Sequence, residues 1–275
     1  MPKDIHNATL IEREMVHEDL GFFRIKYNDH EVPEFEPGQF ATLGLPDTTP
    51  PDPDKPVRPG RGPKLIRRAY SIASPATERD ALEFYIVRVE DGKLTPSLCE
   101  IEVGQTLFMN EKIGGHFTLP PAEETRDKTL IMVGTGTGLA PFRAMYLTYH
   151  DAPAAERRWA DFVLMDGCRL ARDLGYYDEL NAIAEADEHF QYLPTVTREP
   201  DGSPWSGKRG RVNALLQADA FRATTGLDLS PESCHVFLCG NPAMIDQVEA
   251  DLKDRGFVVR DRKNPTGNLH FERYW

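Results

Sequence analysis

Two short stretches of the 275-residue chain carry residue types that could do chemistry. The first is Val133-Gly134-Thr135-Gly136-Thr137-Gly138-Leu139-Ala140-Pro141. A glycine-rich turn between strand and helix lets backbone N–H groups approach a phosphate or a flat ring at the helix N-terminus. It is not the G-x-G-x-x-G fingerprint, so alone it also fits plain chain punctuation. Its place after the first strand of an α/β half favours dinucleotide binding. The second stretch is Arg68-Ala69-Tyr70-Ser71-Ile72-Ala73-Ser74. On a strand, Arg68, Tyr70 and Ile72 share one face. An Arg and a Tyr two apart can grip a pyrophosphate and cover an aromatic ring together. In isolation, an ordinary amphipathic strand is the simpler reading. A third feature is the ending Phe271-Glu272-Arg273-Tyr274-Trp275. Its rings are costly to leave in water and imply something to lie against.

The elements that must position these residues fall into two groups. Up to about residue 120 the chain reads as short strands, "FFRIKY", "QFATLGL", "AYSIAS", "LEFYIVRV" and "QTLFMN", bounded by Gly, Pro or Asp. Their spacing predicts a closed antiparallel barrel. The loop "PDTTPPDPDKPVRPGRGPK" interrupts them as an exposed excursion. Beyond it, strands "TLIMVGTG", "DFVLMDG", "FQYLPTVTR" and "CHVFLCG" alternate with helices "LAPFRAMYLTYH", "LGYYDELNAIAEA", "RVNALLQADAF" and "PAMIDQVEADLKDRG". That alternation predicts a doubly wound parallel sheet. The boundary is expected near residues 119–128, giving units 1–122 and 123–275.

Net charge −12 argues against a nucleic-acid binder. No apolar run reaches the ~18 residues of a membrane span, and the charged start lacks the apolar core of a secretory signal. The four cysteines are too sparse for a disulfide framework, so a cytoplasmic protein with reduced thiols is expected. The histidines show no H-E-x-x-H, and the cysteines no C-x4-C-x2-C, so no metal is called for. From Pro56 to Thr77 there is no acidic residue, while Arg58, Arg61, Lys64, Arg67 and Arg68 fall there.

"RAYSIAS", "FYIVRVEDGKLTPSL", "GTGTGLAP", "LCGNPAMI" and the aromatic end occur in this order. The sequence thereby resembles the bacterial ferredoxin/flavodoxin–NADP reductases, from about residue 8 onward. The resemblance implies an N-terminal antiparallel Greek-key barrel for FAD and a C-terminal α/β sheet for NADP(H). It assigns the block Arg68, Ala69, Tyr70 and Ser71 to FAD, with Arg68 on the pyrophosphate, Tyr70 against the isoalloxazine and Ser71 near flavin N5. Tyr85, Ile86, Val87 and Arg88 map to the flavin edge and ribityl chain. Lys93, Leu94 and Thr95 map to a phosphate-binding turn that opens a short helix. Thr137 faces the cofactor cleft. Arg169, Arg198 and Arg211, aided by Arg209 and Lys208, map to the 2′-phosphate of NADP(H). Cys239 lies beside the nicotinamide, Gly240 and Asn241 after it are cofactor-binding, and Glu272 assists proton movement near Ser71. Tyr274 and Trp275 pack on the cofactor; which ring each takes stays open.

The activity so implied is hydride transfer between NADP(H) and FAD, then single-electron exchange with ferredoxin or flavodoxin, by a protein expected to be monomeric. Because such carriers are acidic, a patch of Arg58, Arg61, Lys64 and Arg67 could steer docking despite the net charge. Rival readings are a reductase component feeding an oxygenase from NADH, a non-catalytic FAD-binding regulatory subunit, and a plain two-domain scaffold.

Overall fold

Strand-forming residues sort into two six-stranded sheets in the structure, a computed structural model that describes residues 6–47, 64–150, 152 and 158–274. The first contains β1 (Ala8–His17), β2 (Leu20–Tyr27), β3 (Phe40–Pro46), β4 (Leu65–Ser71), β5 (Leu82–Val87) and β6 (Thr106–Met109), with a short helix α1 (Thr95–Glu100) between β5 and β6. The order is β4-β3-β6-β1-β2-β5, with antiparallel neighbours. The edge strands β4 and β5 approach at one bridge, Ile72 to Phe84, and Ala73 N–H donates to Glu83 C=O at 2.8 Å. The sheet is therefore barrel-like, joined at that seam by single contacts rather than by a full ladder. Leu10, Phe23, Ile25, Leu43, Ile72 and Phe84 fill its interior.

β1 escaped the sequence reading because Glu12, Arg13 and Glu14 interrupt its apolar alternation, and a register shift between Leu10 and Glu12 resets its faces. On the edge strand β4 burial does not alternate. Arg68 and Ala69 are both exposed on the edge, whereas Ile72 lies past the strand's end in the core.

The second sheet is wholly parallel. It comprises β7 (Thr129–Thr135), β8 (Asp161–Cys168), β9 (Phe190–Val196), the two-residue β10 (Lys208–Arg209), β11 (Cys234–Gly240) and β12 (Leu269–Arg273), in the order β10-β9-β8-β7-β11-β12. Helices α2 (Ala122–Thr125), α3 (Ala140–Tyr149), α4 (Tyr177–Ala186), α5 (Ala218–Thr225) and α6 (Pro242–Asp254) accompany it. β7 and β11 are buried almost throughout, as central strands covered on both faces must be. The order reverses at β7, so a crevice opens between the carboxyl ends of β7 and β11. One expectation needs correction. The helix expected over 211–221 breaks at Gln217, whose extended backbone separates a 3-10 turn (Val212–Leu216) from α5. As far as residue 273 the ending continues the parallel ladder as β12.

The two sheets share a continuous apolar core. Leu20, Ala73, Tyr85 and Phe117 pack with Leu139, Phe142, Met145 and Tyr146. Arg143 on α3 pins this contact. Its Nη1 donates to Ala73 O (2.9 Å) and Glu83 Oε1 (3.1 Å), and its Nε and Nη2 grip Glu179 at 2.6 and 2.7 Å. The Tyr176 ring lies under the guanidinium at 4.5 Å, and the Tyr176 hydroxyl donates to Glu83. A second latch joins β1 to the loop after β8: His17 Nδ1 accepts from Asp19 N–H, and Nε2–H donates to Asp173 Oδ1 at 3.2 Å.

Arg143→Ala leaves Glu83 and Glu179 facing one another without their cation. Removing one member of such a cluster costs about 3 kcal/mol, so the urea midpoint should fall clearly; an unchanged midpoint would show that the clamp does not hold the sheets.

Candidate active site

The parallel register of β12 against β11 sets Glu272 opposite Cys239 and Arg273 opposite Gly240. The chain then turns toward the first sheet, held by Tyr274 N–H to Gly240 C=O (3.1 Å). There the Tyr274 hydroxyl donates to Ser71 Oγ at 2.7 Å, and Ser71 in turn donates to Glu272 Oε2 at 3.2 Å. Ser71 ends β4, so a hydroxyl of one sheet sits between a phenol and a carboxyl of the other. Burial raises the Glu272 carboxyl above its usual range, partly offset by Ser71. Burial also raises the Tyr274 phenol and the Cys239 thiol, which hydrogen-bonds that phenol. Burial thus favours the protonated form of each of these three groups.

The glycine turn stands against this cluster. A Cβ on Gly138 would lie 2.4 Å from Cys239 O, so only glycine lets the turn approach β11 so closely. At Gly136 (φ +55°) the space a Cβ would take is open, and bare backbone faces outward. Thr137, half-buried, lies on the same turn. Beneath it Cys168 lies against Gly136 N–H and donates to Asp166 Oδ1 at 3.7 Å, while the Tyr192 hydroxyl donates to Oδ2 at 3.1 Å. Among the described residues no cation stands beside Asp166, and burial pushes its carboxyl up to about 7. Sequence reasoning missed this Asp166–Tyr192–Cys168 group, as it missed Arg143, because its members come from different strands.

On the first sheet, Arg68, Tyr70 and α1 gather together. Arg68 and Cys99 of α1 both lie near enough to the Tyr70 phenol to influence it, though burial dominates in raising its pKa. No side chain caps the N-terminus of α1, where Lys93 is exposed and Leu94 is buried. Thr95 Oγ1 accepts from Val89 N–H at 3.0 Å and stays within the turn. Arg88 reaches Glu100 at 3.4 Å. Exposed guanidinium and ammonium groups beside a helix start without a side-chain cap suit a pyrophosphate. Tyr85 and Ile86 differ from the expectation. The Tyr85 side chain is spent on the seam between the sheets, with its hydroxyl on Asp173 O (3.0 Å) and Gly175 N (3.1 Å). Ile86 is buried in the barrel core, and only Val87 and Arg88 remain partly open.

The cations of the second sheet separate into two kinds. Arg169 follows β8, Arg198 follows β9 with its N–H on Arg169 O (2.8 Å), and Arg211 follows β10. Neighbouring strands lie about 4.8 Å apart, so the three share one rim at the strand carboxyl ends. All three are exposed. Arg209 is instead committed to its own loop, donating to Glu199 O (2.6 Å), Pro200 O and Ser203 Oγ. Lys208 is exposed, but its carbonyl receives the Trp205 indole N–H. Asn241 caps α6 through Ala243 and Met244 N–H, and its own N–H donates to Thr135 Oγ1. Trp275, Arg58 and Arg61 lie outside the described residues.

Exposed guanidiniums at strand carboxyl ends and a bare glycine turn, with a hydroxyl–carboxyl cluster against it, are groups suited to an anionic nucleotide. Residues 132–250 match the oxidoreductase NAD-binding domain model. The chain is 30% identical over 246 residues to the flavodoxin/ferredoxin–NADP reductase of Buchnera aphidicola, covering 89% of this chain and 90% of that one. It is 31% identical over 248 residues to the ferredoxin–NADP reductase of Pseudomonas aeruginosa, covering 87% and 86%. Its fold is similar to that of a ferredoxin–NADP reductase from Neisseria gonorrhoeae solved with FAD and NADP, at TM-score 0.79 and 24% identity, covering 98% of each chain. The chain belongs to the ferredoxin/flavodoxin–NADP reductase family. No helix among the described residues is long and apolar enough to cross a membrane, and no metal-ligating cluster occurs among them.

The pH dependence of stability follows from Asp166. Native Asp166 holds a proton that the unfolded chain releases at about pH 4, so its own contribution to stability falls as pH rises from there through about 7, opposite in sign to those of the buried His235 and His270. Asp166→Asn should match the parent in thermal midpoint at about pH 4 and exceed it at about pH 8; a constant difference across that range would refute the assignment.

Proposed function

We propose that this protein is an FAD-dependent reductase that exchanges a hydride with NADP(H) and single electrons with ferredoxin or flavodoxin. The observation that carries the reading is the meeting of Ser71 with Glu272 and Tyr274 beside the glycine turn. When bound, FAD supplies the chemistry by accepting a hydride and releasing electrons one at a time. Arg68, Tyr70 and the backbone at Lys93–Thr95 would hold it, which their exposed donors support. The glycine turn and Thr137 would hold the nucleotide's pyrophosphate, and Arg169, Arg198 and Arg211 its 2′-phosphate, with Lys208 adjoining. Arg209 contributes by fixing the loop that carries Lys208 and Arg211.

The residues of this cluster have distinct work. Ser71 Oγ hydrogen-bonds the reacting edge of the ring system, and Glu272 Oε2 holds or returns a proton through it. Cys239, kept as a thiol by burial, supplies a soft wall and excludes water. A ring that reaches Ser71 must displace the Tyr274 phenol. The division proposed at 122/123 falls between the last strand of the first sheet, which ends at Met109, and the first of the second, which starts at Thr129, one residue into α2. The free cysteines suit a cytoplasmic setting, and a monomer satisfies every site contact named.

Electron carriers of this type are acidic, and Lys64 and Arg67 stand exposed at the start of β4, with Arg67 over the Phe108 ring at 4.1 Å. They extend a basic stretch that includes Arg58 and Arg61 in sequence. Lys64→Glu with Arg67→Glu should slow electron delivery to an acidic carrier, most at low ionic strength, while leaving oxidation of NADPH by a small artificial acceptor intact. If both rates fall together, or neither does, docking is elsewhere.

Cofactor choice gives the sharper test. Arg198→Ala removes a charge-assisted contact to the 2′-phosphate, so KM for NADPH should rise roughly tenfold while KM for NADH changes by less than about twofold. Equal changes for both nucleotides would remove the arginine rim from this role.

A further inference from the structure

The last ladder residue before Tyr274 is tied to α6 through its side chain. Arg273 Nε and Nη2 donate to Asp246 Oδ1 at 3.2 and 2.9 Å, and Nη2 reaches Glu249 Oε2 at 2.7 Å. Asp246 and Glu249 are successive turns of α6, and Lys253 neutralises the other oxygen of Glu249 at 2.6 Å. The guanidinium also lies 4.2 Å over the Phe271 ring on its own strand. An isolated surface pair would contribute little, but a four-member network with a cation–π contact restricts one side chain through several partners at once. Beyond this point the chain is tied by Tyr274 N–H to Gly240 C=O and by the hydrogen bond of the Tyr274 phenol to Ser71.

From this geometry we infer that Arg273 is a positioning residue for nucleotide entry: it clamps β12 to α6 and so sets how strongly Tyr274 competes with the nicotinamide for the space at Ser71. The inference rests on the proposed displacement of Tyr274. Loosening the clamp lets the backbone at 273 drift, so the phenol returns to Ser71 less often and an incoming ring meets weaker competition. The effect must therefore act through Tyr274 and through nothing else.

The test is a double-mutant cycle on the FAD-loaded protein, reading KM and kcat for NADPH and NADH with a small artificial acceptor. Arg273→Ala should lower KM for both nucleotides roughly three- to tenfold with kcat changed less. Asp246→Asn, altered from the helix side, should shift KM in the same direction, and Arg273→Lys should restore much of the parent value. In a Tyr274→Ser background, Arg273→Ala should have no further effect on KM. If Arg273→Ala acts equally with and without Tyr274, or leaves KM unchanged while Tyr274→Ser alters it, the clamp is not a positioning device. If Tyr274→Ser itself leaves KM for both nucleotides unchanged, the displacement reading falls and takes the clamp with it.

Discussion

Everything at the site depends on one register, that of β12 along β11. With Cys239 opposite Glu272 and Gly240 opposite Arg273, the carboxyl of residue 272 and the phenol of residue 274 both reach Ser71 on the other sheet. Side chains alternate along a strand, so a slip of one residue would turn Glu272 away and present Arg273 instead. The register is fixed by burial: Leu269 sits in the apolar layer with Val236, Leu238 and Ile245, where a charged residue would be costly. Thus a ladder inside one sheet decides which groups meet across the seam between two.

The seam must be firm for that meeting to persist, and charge is arranged accordingly. Arg143 is satisfied by two carboxylates, a carbonyl and a ring, and Arg273 by two carboxylates and a ring. Arg13 closes the carboxyl end of α1 through Cys99 O and Ile101 O. Arg169, Arg198 and Arg211, by contrast, stand exposed together at strand ends. Where a protein satisfies its structural cations internally, a row left open to solvent at the position where α/β sheets bind ligands is the one suited to an anionic ligand.

Much of this was legible in the sequence because it depends on local pattern. The alternation of apolar strands with helices after residue 129, the glycine turn, and the helix opened by Thr95 and Pro96 are each written in a few neighbouring residues. So was the closeness of Ser71 to Glu272, which the family resemblance implied and the hydrogen bond at 3.2 Å realises. What stayed hidden depends on distant partners. β1 hides behind its charged outer face. Arg143 finds Glu83 and Ala73 some sixty to seventy positions away, and Asp166 finds Tyr192 on the next strand. Tyr85 reads as a site residue from its motif, yet its hydroxyl serves the seam, because the loop at Asp173–Gly175 arrives there only in three dimensions. The aromatic end reads as a tail, although its first three residues complete the sheet.

The central claim is that Ser71, set between Glu272 and Tyr274, is where the nucleotide hands over its hydride. The direct measurement is anaerobic rapid mixing of the FAD-loaded protein with NADPH, following loss of the visible flavin absorbance in the parent and in Ser71→Val. The account predicts fast bleaching in the parent and a rate lower by roughly a hundredfold in the variant, with FAD still bound. Bleaching of the variant at the parent rate would contradict it.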